Sequence, residues 1–169
     1  ETQAVGAGAI VKIYADEDLF VGYNNIYVAV YDSSDNTTQI TDAHVTFMPM
    51  MAMPSGMNHS CPYENPGMTV ETGTMAYKGA AVFVMPSTAG NWTFGVEVHN
   101  HINGQMGMAS LPISVVQPTE AKLISFESEV DNTKLFVARI EPTNPEVGIN
   151  DFHLGIWKKE TMMSWPAVD

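Results

Sequence analysis

Five methionines crowd one short stretch, Met48-Pro-Met-Met-Ala-Met-Pro-Ser-Gly-Met-Asn-His59, at positions 48, 50, 51, 53 and 57, and a histidine closes it. Thioether sulfur is a soft, neutral donor, and paired with imidazole it suits Cu(I) better than any hard cation. Methionine is also a pliable filler of apolar gaps, so packing is the plain alternative. Pro49, Pro54 and Gly56 interrupt any regular repeat that would bury these side chains along one face, which favours a ligand loop. Met48, Met50, Met51, Met53, Met57 and His59 are therefore candidate metal ligands.

A second soft cluster follows from hairpin geometry. Asn103-Gly104 is the preferred pair for a two-residue type I′ turn. A turn there makes cross-strand partners sum to 207, so Phe94 faces Ile113 and Val96 faces Leu111 on one apolar side. On the other side His99 pairs with Met108 and His101 with Met106, a two-by-two patch of imidazole and thioether. Solvated surface histidines are the ordinary alternative. The same alternation around Val45 and Phe47 turns His44, Thr46, Met48 and Met50 outward. Cys61, beside Met57 and His59, is a further Cu(I) ligand if it ionises. His153 reads as a strand-surface residue.

These side chains need strands to position them, and the chain supplies strands throughout. Ala9–Ala15, Asn25–Tyr31, Ala43–Met50, Ala80–Met85, Trp92–His99 and Met108–Val116 are rich in β-branched and aromatic residues, with turn clusters between them. No stretch longer than about ten residues holds a helical period free of Gly or Pro. The prediction is an all-β chain, with residues 1–117 forming an immunoglobulin-like antiparallel sandwich of about seven strands. Gln117-Pro118-Thr119 marks a boundary.

Residues 118–169 read as the start of a second, related domain. Val21-Gly-Tyr-Asn-Asn-Ile-Tyr-Val-Ala-Val-Tyr31 aligns with Val147-Gly-Ile-Asn-Asp-Phe-His-Leu-Gly-Ile-Trp157 at an offset of 126. Apolar side chains recur in phase: Ile26, Val28 and Val30 against Phe152, Leu154 and Ile156. A repeat this long suggests two copies of a domain rather than a solenoid. The counterpart of His44 falls just past residue 169, so the second copy is incomplete, and its first strands cannot close a core alone. Either the parent chain is longer, which is the favoured expectation, or the tail packs on the first domain or on a neighbour.

Composition narrows the partners. Nineteen acidic against seven basic side chains leave a net charge of -12, which repels nucleic acid and anionic lipid. A single cysteine excludes an internal disulfide. No apolar run approaches the roughly 18 residues of a membrane span. The chain opens on Glu1 rather than Met, compatible with a removed leader and an exported, lipid-anchored protein. There is no nucleophile elbow, zinc-protease helix motif, phosphate loop or dinucleotide fingerprint, and no carboxylate pair stands out, so no enzyme is expected.

His44-Val-Thr-Phe-Met-Pro-Met-Met-Ala-Met53, running into Met57-Asn-His-Ser-Cys-Pro62, resembles the YtkA-like family of small bacterial envelope β-sandwich domains, related in style to FixH-type domains. Ala89-Gly-Asn-Trp-Thr-Phe94 is similar to that family's Gly-x-Trp strand opening. The likeness covers residues 9–116, and Cys61 departs from it by standing where a small polar residue is expected. The resemblance implies an immunoglobulin-like fold, export to the bacterial periplasm or outer-envelope surface, and copper homeostasis. The expected function is copper sequestration or transfer, with a metal-transfer or transport protein of the envelope as partner. Histidine must be neutral to ligate, so affinity is expected to fall below about pH 6.5. The alternative is a metal-free domain whose Met-rich loop is an apolar docking surface.

Overall fold

The computed structural model describes residues 1–142 and 145–168. Among the described residues twelve strands run in order: β1 (Thr2–Ala4), β2 (Ala9–Ala15), β3 (Gly22–Asp32), β4 (Ala43–Ala52), β5 (Asn58–His59), β6 (Tyr63–Glu64), β7 (Tyr77–Phe83), β8 (Asn91–Asn100), β9 (Gln105–Ile113), β10 (Leu123–Glu127), β11 (Lys134–Glu141) and β12 (His153–Lys158). No α-helix occurs among the described residues. The chain is all-β, its three sheets built of antiparallel pairs, with strand orders β1-β2-β3-β7-β6, β5-β4-β8-β9 and β10-β11-β12.

The first two sheets pack as a β-sandwich. Alternation sends Ile26, Val28 and Val30 of β3 into one core with Val45 and Phe47 of β4 and Trp92, Phe94, Val96 and Val98 of β8, all nearly inaccessible to water. Phe83 of the first sheet meets Trp92 of the second edge-on at 5.1 Å and joins the layers, while Phe47 meets Phe94 at 5.0 Å within the second sheet. Each such side chain contributes about 1.5–3 kcal/mol by leaving water.

Two expectations are corrected here. The methionine segment is not a loop up to Pro54, because β4 runs through Pro49 to Ala52. The Phe47 N–H points away from β8 and donates to Asn65 Oδ1 at 2.8 Å. Pro49, two residues on, therefore turns its nitrogen to the same free side and removes no ladder bond. Nor is the β8–β9 turn a two-residue one. The pairs sum to 205, with Asn100 opposite Gln105, leaving His101–Gly104 as a four-residue connection. Asn100 Oδ1 accepts from the Ile102 N–H at 3.0 Å, and Asn103 Oδ1 from the Gln105 N–H at 2.8 Å, so side-chain turns outcompete the tight hairpin. A slip of two keeps every side chain within the strands on its predicted face.

The third sheet leans on the sandwich. Trp157 and Ala138 are buried against Val82, and Trp157 stacks on Tyr23 at 6.4 Å. Tyr23 and Val82 lie on the outer face of the first sheet, so the tail packs on the first unit from outside.

Candidate metal centre

Alternation divides the methionine segment between two faces. Met48 and Met50 are half-buried on the outside of β4, and Met48 leans over Gly95, whose missing side chain leaves room for it. Met51 faces the other way and is wholly inside the core. Met51 pairs with His59 across β4 and β5, which puts the imidazole inward, 3 % exposed. The turn between these strands is closed by Met53 N–H donating to the Met57 carbonyl at 2.9 Å and Gly56 N–H to the Met53 carbonyl at 2.9 Å. Gly56 takes a φ of 82° there, a conformation that costs glycine little. Met53 and Met57 thus stand at the two ends of one turn beside His59.

Trp92 organises the rest. Its indole N–H donates to the Met85 carbonyl at 2.9 Å, and its ring meets His59 edge-on at 5.5 Å. His59 Nδ1 lies 2.8 Å from the Ser60 carbonyl. A carbonyl only accepts, so Nδ1 carries a proton, and the Nδ1–H tautomer has its lone pair on Nε2. That Nε2 is buried and has no hydrogen-bond partner. Such an atom is rare and calls for an explanation.

His59 lines a cavity of about 380 Å³ together with Met53, Met57, Met85 and Met162. Met162 arrives from the tail, where the Ser60 N–H donates to its carbonyl at 2.9 Å. Phe136, Trp165, Lys134 and Lys159 complete the far wall. Phe136 and Trp165 meet edge-on at 5.2 Å, Lys134 rides over the Phe136 ring, and Lys159 rides over the Trp165 ring. Four methionines and one histidine therefore line one space between the sandwich and the third sheet.

Sequence reasoning missed Met85 and Met162. Met85 had been the end of a strand, and Met162 belongs to Thr161-Met-Met-Ser-Trp165 in a stretch with no motif. The usable signal was a methionine pair outside any strand, next to tryptophan.

The second cluster forms a row on the opposite face. His44 pairs with His99 across β4 and β8, and His99 with Met106 across β8 and β9. In the next row Thr46, Glu97 and Met108 line up. Met106 and Met108 are 55 % and 52 % exposed. His101, expected opposite Met106, instead sits in the turn, its ring 4.9 Å from that of His99 and its Nδ1 2.7 Å from Asp42 Oδ1. This row cannot join the cavity, because it lies on the other side of the sheet and at the other end of β4.

Cys61 is completely buried in the core, and burial pushes its thiol well above the ordinary range. A thiol held protonated there is a poor ligand, so this residue leaves the candidate set. Among the described residues, no three side chains of His, Cys, Asp or Glu converge to hold a metal ion. His153 lies on the surface, 3.3 Å from Glu141.

Comparison with protein-family models, curated proteins and solved structures returns no match to this chain. Its class rests on its own fold: an all-β, sandwich-like protein of antiparallel sheets, with a cavity of thioethers and one imidazole where a third sheet meets the sandwich.

Proposed function

We propose that this protein binds Cu(I) in the cavity at His59, with Met53, Met57, Met85 and Met162 as the sulfur donors from which the ion draws its few ligands. The observation that carries the reading is the buried His59 Nε2, without a partner, in a residue that lines a cavity together with four methionines. The donor set is soft and neutral, which fits Cu(I) and suits neither Mg²⁺ nor Ca²⁺. The Ser60 carbonyl would fix the ring tautomer, as outer partners of a ligating histidine commonly do. The exposed row of His44, His99 and Met106, flanked by His101 and Met108, would be a second, weaker site. Met48 and Met50 stay outside both.

In this reading the chain is an immunoglobulin-like, YtkA-like module of the bacterial envelope, exported and lipid-anchored. It sequesters copper or passes it to a transfer or transport protein, and it turns over no substrate. The test is Cu(I) titration under reducing conditions against a competing chelator. One tightly held ion per chain is expected, with affinity falling at least about ten-fold in His59→Ala, as loss of one of few ligands predicts. A Met53→Leu/Met57→Leu/Met162→Leu variant, which keeps volume, is expected to weaken binding likewise. Absence of stoichiometric Cu(I), or unchanged affinity in both variants, would sink the proposal.

One observation favours the metal-free alternative. Lys134 and Lys159 border the same cavity and raise the energy of any cation in it. Met57 is 49 % exposed, and a flexible thioether surface suits docking of an apolar partner.

A further inference from the structure

The third sheet exposes the side that an internal repeat says should be a core. The offset of 126 that aligns Val21–Tyr31 with Val147–Trp157 also holds in strand pairing, over segments the sequence alignment does not include. In the first unit Ala9 faces Asp32, Val11 faces Val30 and Ile13 faces Val28. In the second, Leu135 faces Lys158, Val137 faces Ile156 and Arg139 faces Leu154, each pair moved by 126 at both ends. Strand order matches too, β10-β11-β12 against β1-β2-β3, although the first hairpin has six connecting residues in place of four.

A local clasp repeats with the same offset. Asn24 Oδ1 accepts from the Phe20 N–H, and its amide donates to the Phe20 and Gly22 carbonyls. Asn150 Oδ1 accepts from the Glu146 N–H, and its amide donates to the Glu146 and Gly148 carbonyls. Gly22 and Gly148 have φ of 142° and 135°, so both turns use the same glycine conformation.

Burial is inverted between the units. Ile26, Val28 and Val30 are at most 1 % exposed, covered by the sheet that holds β4, β8 and β9. Their counterparts Phe152, Leu154 and Ile156 are 50 %, 57 % and 38 % exposed. Ile124 and Phe126 of β10 extend the same bare face, at 57 % and 47 %. Only the opposite face, with Ala138 and Trp157, is packed against the sandwich. A sheet face of this kind, apolar but for Arg139 and Lys158 at its ends, marks an interaction surface.

We infer that this face is the inner layer of a second sandwich, covered by a sheet that the same chain carries beyond residue 169. The occupant is defined by the first unit, where the equivalent face is closed by the chain's own later strands rather than by another molecule. Moving β4, β5, β8 and β9 by 126 puts the covering strands between the end of this sequence and about position 239. They must present alternate large apolar residues inward, as Val45 and Phe47 of β4 and Phe94, Val96 and Val98 of β8 do. The inference is independent of any metal.

The test compares the natural full-length product with the 169-residue chain, each carrying Leu154→Cys or Ile156→Cys, and Met68→Cys on a loop of the first unit as an accessible reference. Thiol labelling at positions 154 and 156 is expected to keep pace with Met68→Cys in the 169-residue chain. In the full-length product it is expected to slow at least about ten-fold, as protection by a packed layer requires. A reading frame that ends too soon to supply a sheet, or equal labelling in the full-length product, overturns the inference. Protection that develops in the 169-residue chain as its concentration rises assigns the face to a second copy and overturns it as well.

Discussion

The ring of His59 meets the ring of Trp92 edge-on, with centroids 5.5 Å apart and planes at 85°. That contact, with the hydrogen bond from Nδ1 to the Ser60 carbonyl, holds the imidazole from two sides and fixes where Nε2 sits. A donor held in place before binding loses little entropy on capture, which favours the Cu(I) binding proposed above.

The two lysines of the cavity give a signed test of the copper proposal. At partly screened range each positive charge costs a monovalent cation on the order of 0.5 kcal/mol. Lys134→Gln and Lys159→Gln are therefore each expected to tighten Cu(I) binding about two- to three-fold. Chelator competition measures this, and weaker binding in both variants would count against a cation in that space.

Asn24 and Asn150 make the same three hydrogen bonds in different surroundings. Asn24 is 4 % exposed, and Asn24→Ala leaves an N–H and two carbonyls without their partner away from water. The expected loss is about 2–3 kcal/mol in thermal or denaturant unfolding. In the exposed turn of Asn150 water replaces the side chain, so Asn150→Ala is expected to cost under about 1 kcal/mol. Equal losses would contradict the role of burial.

Cys61 gives a reactivity prediction. Desolvation holds its thiol protonated, so at pH 8 an aromatic disulfide reagent is expected to react only as the chain unfolds. Its rate should track the unfolding rate across denaturant concentrations. Fast reaction in native buffer would put the thiol at an accessible edge instead.

The Asp35 turn predicts acid behaviour. Its carboxylate accepts from the Thr38 hydroxyl at 2.6 Å and from the Thr37 and Thr38 amides at 2.8 Å, and the Thr38 hydroxyl is the first cause that lowers its pKa to about 2. A lowered folded value means the contribution is complete above the ordinary 3.8 and fades as pH falls through about 2. The Thr38 amide proton shift is expected to titrate near pH 2, and a midpoint near 3.8 would show the clasp to be absent in solution.

Much of the fold was legible because strand patterns are local. The predicted strand Ala9–Ala15 matches β2 at both ends, and the other five overlap β3, β4, β7, β8 and β9. The side chains of His44, Met48 and His99 lie on the outer face because alternation has a period of two and the pattern shows its phase. The pairing of His99 with Met106 rather than Met108 was not legible. It depends on whether two Asn side chains or a tight turn close the hairpin, a contest of small energies that residue types do not decide.

Local patterning is enough to specify an all-β chain, the faces of its strands and a concentration of soft donors around Met53, Met57 and His59. Which donors share a space depends instead on how distant elements pack. Met85 lies two residues past β7 and is held beside His59 by Trp92, whereas Met162 comes from a tail more than a hundred residues from His59 and reaches it because the third sheet packs against the sandwich. The same packing buries one face of that sheet and leaves the other bare. Long-range assembly follows from the sum of many side-chain contacts, and no local spacing records that sum.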